Sequence, residues 1–294
     1  MLRAMRWLRA LGIGFALGAA CGVGVARPPF AGAHADVHEL ERAAGAEAER
    51  HPEDPAAHLQ LASVHRLARA WDAALAALEA AAARGADADV VGTMRGQVFL
   101  DAGWPQTARS EFDRVLARRP DAYGALFERG RAWLVLGEAE RAAADFGAAI
   151  AGMARPTPEH VIAQRDALLS LGRRSDALAA LDAGMARIGP AVSLELAAVD
   201  LEVELGHYDA ALRRLDRLLG RSVVSPAWVA RRGEVLERAG RPSDARAEYA
   251  RALALIDARG ARQTTAAFTD LRRRLEISLA SAAPDDGTPR GESR

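Results

Sequence analysis

Apolar positions recur along this chain at helical spacing. Ala142, Phe146, Ala149 and Ile150 stand at i, i+4, i+7 and i+8, which puts all four on one face of a helix. That stripe predicts a helix from Glu138 to Met153. The run from Ala125 to Leu136 predicts another, stopped at Gly137, because glycine tolerates the left-handed turn that reverses a chain. Small residues on the facing sides, Gly130 and Ala142, let the two axes approach while Trp133 and Phe146 fill the space beside them. Near the C-terminus, Phe268, Leu271, Leu275 and Leu279 form one apolar stripe on a helix of 262–282, and Arg272, Arg273 and Arg274 occupy its other face.

The helix pair is repeated. Ala74, Ala108, Ala142, Ala177, Ala211 and Ala245 follow one another at steps of 34, 34, 35, 34 and 34 residues. Gly103, Gly137, Gly172, Gly206 and Gly240 keep the same steps. With 26 glycines in 294 residues, four further matches by chance have a probability of roughly 0.09 to the fourth power, below one in ten thousand. Four residues after each alanine stands a large apolar side chain: Leu78, Phe112, Phe146, Leu181, Leu215 and Tyr249. Pro55, Pro120, Pro158 and Pro226 fall at junctions, where proline lies between helices or in a first turn.

The pattern resembles the tetratricopeptide repeat, with Gly130, Trp133, Gly137, Ala142, Phe146 and Ala149 at the family's marker positions. Arg-Gly recurs as Arg95-Gly96, Arg129-Gly130 and Arg232-Gly233. The first unit departs in carrying Arg69 for the turn glycine, and the fifth carries Val199 for the small residue. The resemblance implies an all-α, right-handed α-solenoid of six repeats over 55–258. A half-repeat helix would precede them within 36–54, a capping helix would follow at 259–282, and 283–294 is a disordered-tail composition.

The resemblance also implies a concave groove lined by positions 2, 5, 9, 12 and 13 of each first helix. In the first three units these include Ser63, Arg66, Thr93, Gln97, Asp101, Phe127, Arg131 and Val135. In the last three they include Glu159, Asp166, Ser170, Asp200, Glu204, Glu234, Glu237 and Arg238. The groove is therefore expected to be mixed at its start and acidic toward its end, favouring a partner with a basic segment.

Composition removes several alternatives. Aromatics make up only 5% of the chain, so the apolar half is mostly alanine and leucine, which favour helix over strand. There is no lysine and no asparagine; all 39 basic residues are arginine, against 39 acidic ones. A neutral chain has no overall field for nucleic acid. Without lysine there is no GxxxxGK[ST] phosphate loop and no Schiff-base chemistry. The Lys/Asn/Arg clamp by which some relatives hold chaperone C-termini loses two of its residue types.

Residues 1–35 have the layout of an export signal: Arg3, Arg6 and Arg9 precede a charge-free stretch from Ala10 to Ala26. Three readings stay open. Cleavage after Ala35 gives a soluble protein beginning at Asp36. Lipidation of Cys21, the only cysteine, gives a lipoprotein; Leu17-Gly18-Ala19-Ala20-Cys21 resembles its cleavage box, with Gly three before the cysteine. An uncleaved segment of seventeen residues is just long enough for a short anchor, with Gly14, Gly18 and Gly22 at four-residue spacing.

Little in the chain points to catalysis, since no nucleophile, base and orienter come together locally. His58 and His65 share a helix face, but at positions where the family packs core side chains. Cleavage after Ala35 would expose Asp36-Val37-His38, a terminus able to offer nitrogen donors to Cu(II) or Ni(II). The expected function is a non-catalytic, exported interaction scaffold without cofactor or bound metal, facing outside the cytoplasm. Envelope assembly and secretion are roles that the resemblance implies. An accessory of a metal or enzyme pathway using the N-terminal histidines, and a cytoplasmic adaptor, are the alternatives.

Overall fold

The structure, a computed structural model, describes residues 37–220, 224–258 and 265–281. Cys21, the proposed leader and the tail from 283 lie outside them. Among the described residues there are fourteen helices and no strand. The chain divides into two compact units, one ending at Gly172 and the other starting at Arg173.

In the first unit, α1 (Val37–Arg50) packs on α2 (Pro55–Leu67), followed by α3 (Trp71–Ala83), α4 (Ala88–Asp101) and α5 (Pro105–Arg118). Then come α6 (Tyr123–Val135), α7 (Ala139–Gly152) and α8 (Pro158–Ser170). Each helix packs on the next, and α2, α4 and α6 also touch as neighbours. The orphan helix expected before the first repeat is therefore present as α1. The helix expected from Ala125 starts two residues earlier, at Tyr123, after the break at Pro120.

In the second unit, α9 (Arg174–Ile188), α10 (Val192–Glu204), α11 (Tyr208–Leu219), α12 (Pro226–Arg238) and α13 (Pro242–Asp257) stack in sequence order. The last helix, α14 (Ala266–Ser281), packs on α13. Leu271 and Leu275 of α14 are buried, and Phe268 and Leu279 flank them against the same core. Its opposite face carries Arg272, paired with Asp257, and Arg273 with Asp270 at 2.9 Å. One side is apolar and the other charged, as a terminal helix of a stack requires.

The repeat markers form the core. All six period-setting alanines and all six large residues that follow them are buried. At Gly130 a Cβ would stand 2.7 Å from the Phe146 ring, so glycine is what lets α6 lie against α7. Gly96 with Phe112 and Gly233 with Tyr249 repeat the arrangement. Pro55, Pro158 and Pro226 open α2, α8 and α12, and Asp54 caps α2 by accepting from the Ala56 N–H at 2.9 Å.

A second repeated device ties neighbouring helices together. The Arg129 guanidinium donates two hydrogen bonds to Asp145 at 2.7 and 2.8 Å and one to Asp113 at 2.9 Å. Those carboxylates lie sixteen residues to either side, on α7 and α5. Asp145, more than Asp113, holds the Arg129 charge well above its ordinary value. Arg232 repeats the clamp on Asp216 and Glu248, both at 2.8 Å. In the repeat between α10 and α11 the polarity is reversed. There the arginine is Arg214 on α11, donating to Glu202 at 2.8 Å, Glu195 at 3.3 Å and Asp182 at 2.7 Å. Burial works against the Arg214 charge, but Glu202 and Asp182 more than offset it.

Candidate functional site

The residues expected to line a groove come from first helices, and in the first unit three of these helices are spanned by one polar ladder. Arg66 on α2 donates to Asp101 on α4 at 2.5 Å. Asp101 also faces Arg131 of α6 at 3.7 Å. Arg131 donates to Glu128 at 2.7 Å, and Gln97 of α4 reaches the same Glu128 at 3.0 Å. Three of the expected residues, Arg66, Gln97 and Arg131, are thus brought onto one connected face. Val135, at the end of α6, is 64% exposed beside them in sequence.

Phe127 is half-buried and does more than line a surface. Its ring lies 4.9 Å from Phe146 and meets His160 edge-on at 4.5 Å. The Thr157 N–H donates to His160 Nδ1 at 2.9 Å, closing the first turn of α8. Burial holds the His160 imidazole below its ordinary value, although Glu159 and Glu128 pull the other way. Further along α8, Asp166 accepts from its neighbour Arg165 at 2.6 Å.

In the second unit each expected carboxylate has a partner within the chain. Arg231 bridges Asp200 of α10 and Glu234 of α12, the latter at 2.6 Å. Glu204 accepts from Arg174 at 3.0 Å, and Glu237 accepts from the Tyr249 hydroxyl at 2.8 Å. Burial and then Glu237 push the Tyr249 phenol up. Arg231 and Arg174 cancel part of the field of these carboxylates.

A family model for the tetratricopeptide repeat matches residues 93–158 and 196–261. Those two segments carry tetratricopeptide repeats. Three solved structures resemble it. One is a tetratricopeptide repeat protein from Parabacteroides merdae, at 14% identity and TM-score 0.45, covering 83% of this chain and 93% of that one. Another is the pilF structure from Pseudomonas aeruginosa, at 14% identity and TM-score 0.50, covering 75% and 97%. A third is YrrB, described as a TPR protein with an unusual peptide-binding site, at 23% identity and TM-score 0.40, covering 55% and 84%. At these identities the likeness is one of fold. No curated protein matches the chain.

The tetratricopeptide repeat fold suggests a protein–protein interaction scaffold. Its first-helix positions supply the ladder, but two of the smaller expected residues turn inward on their own helices. Ser63 donates to the Leu59 carbonyl at 2.9 Å and Thr93 to the Asp89 carbonyl at 2.7 Å. The N-terminal histidines do not converge: His58 meets the Pro52 carbonyl at 2.9 Å, whereas His65 meets Glu41 at 3.2 Å. Among the described residues no three His, Cys, Asp or Glu side chains are grouped to hold a metal. Nor, among them, is any helix long and apolar enough to cross a membrane. Reading Arg-Gly as a packing motif alone misses the arginine clamps, although their signal is in the sequence: carboxylates stand sixteen residues before and after Arg129 and Arg232.

Proposed function

We propose that this chain is a non-catalytic, exported scaffold that holds a peptide or protein segment along the first-helix face of its repeats. The ladder from Arg66 through Asp101, Arg131 and Glu128 to Gln97 is the observation that carries the reading. It orders donors and acceptors of alternating charge across three successive first helices before any partner arrives, which lowers the ordering cost of binding. On the second unit, Asp200, Glu204, Glu234 and Glu237 favour a segment with basic side chains, which would compete with Arg231 and Arg174 for the carboxylates. Capture should therefore weaken as salt is raised.

A photo-crosslinking residue at Gln97, Arg131 or Glu204, in cells and followed by purification, tests the face. The expected outcome is a discrete partner band from these positions and none from Arg118 or Arg141 on second helices. Bands only from the second helices overturn it. Export rests on the basic start and apolar stretch of residues 1–26, with Cys21 lipidation or a retained anchor as the membrane-attached forms. Fractionation with mass determination of the mature N-terminus tests this part. An intact chain confined to the cytosol overturns it.

A further inference from the structure

The arginine clamp is closed around α6 and α12 but open around α4. Arg95 stands where Arg129 and Arg232 stand, with Glu79 and Glu111 sixteen residues to either side. Yet Arg95 approaches only Glu111, at 3.8 Å, and Glu111 is already held by Arg114 at 2.5 Å. Glu79 is exposed and, among the described residues, pairs with no arginine. Between them opens a cleft of about 480 Å³, with Leu75, Phe99, Thr107 and Arg114 also in its walls, the Arg114 charge taken up by Glu111.

The next repeat shows what fills this place when it is filled. Moving on by 34 residues, Leu75 becomes Arg109, Thr107 becomes Arg141 and Phe99 becomes Trp133. The Arg109 and Arg141 guanidinium groups lie 5.2 and 4.7 Å from the Trp133 ring centroid. One repeat therefore supplies its own stacked guanidinium groups. The repeat before it has the aromatic ring, stacked on Trp104 at 5.8 Å, a spare carboxylate and an empty volume, but lacks the two arginines at these positions.

We propose that the cleft between α3 and α5 takes an arginine side chain of a partner protein, stacked on Phe99 and paired with Glu79. A guanidinium there would gain the ring's quadrupole and a carboxylate that is otherwise unmatched. A planar guanidinium can lie flat on the ring while its N–H groups reach a carboxylate, which an ammonium cannot do. On α4, at 100° per residue, Arg95 and Phe99 lie on the side opposite Gln97 and Asp101. The cleft is thus a second surface, independent of the ladder face.

The test is calorimetric titration of the full chain with a blocked Gly-Arg-Gly peptide and its Gly-Lys-Gly counterpart. The expected result is saturable binding of the arginine peptide and binding of the lysine peptide weaker by about fivefold or more. Glu79→Gln should weaken the arginine peptide by about fivefold or more. Leu75→Arg, which installs the residue of the next repeat, should abolish binding by occupying the cleft from within. Thr107→Arg is a second filling variant if Leu75→Arg lowers the melting temperature. Arg155→Ala, in the loop before α8, should change nothing. No saturable binding to the unaltered chain, equal binding of the two peptides, or full binding by the filled variants overturns the proposal.

Discussion

Arg69 takes a backbone conformation that its counterparts in five later repeats take with glycine. Its φ is 59°, against 71° to 85° at Gly103, Gly137, Gly172, Gly206 and Gly240. A side chain there is strained, and the Arg69 stacking on Trp71, at 5.7 Å, offsets only part of the cost. Arg69→Gly should therefore stabilise the protein by about 0.5–1 kcal/mol, read as a higher urea midpoint. The departure is legible in the sequence because period and residue type together fix the conformation required. His160 is a different case, since its environment comes from Phe127 on another helix and from Thr157 in the preceding loop. Its imidazole is held low by burial, so the folded state disfavours its proton. That contribution is complete above the ordinary histidine value of 6.5 and is lost as pH falls below it. The fall in unfolding midpoint from neutral pH to about pH 5 should be smaller in His160→Gln than in the parent chain.

Between elements, the clamps turn single side chains into ties among three helices. Arg129→Gln should cost about 1–3 kcal/mol by denaturant unfolding, because Asp145 is left half-paired in a largely buried place. Removing Arg141, which is exposed, stacks on Trp133 and stands 4.0 Å from Glu138, should cost less than about 1 kcal/mol; comparable losses would show the clamp to be no more than a surface pair. Helix existence was legible down to α1 and α14, since apolar stripes and turn residues act locally. Groove electrostatics was legible only by half. Counting carboxylates at groove positions leaves out Arg231 and Arg174, which come from outside those positions and reach in to pair with Asp200, Glu234 and Glu204.

On the scale of the whole molecule, the division after Gly172 coincides with the one step of 35 in the period, Gly137 to Gly172 and Ala142 to Ala177, where every other step is 34. Inside each unit, cohesion passes from one helix to its neighbour. Deleting 266–281 should expose the core that Leu271 and Leu275 cover beside Tyr249 and Ile256. Amide exchange should then speed up most in α13, less in α12 and least in α10. Equal acceleration through all three would mean that the second unit opens as one block. A chain of similar modules also faces a hazard that a single globule does not: the seating of a helix on the wrong neighbour, within one chain or between two copies. The reversed clamp gives one place in the stack its own key. Were α11 to dock where α13 belongs, Arg214 would take the position of Glu248 and meet Arg232, cation against cation. The mispaired arrangement would be rejected by charge while its apolar faces still matched.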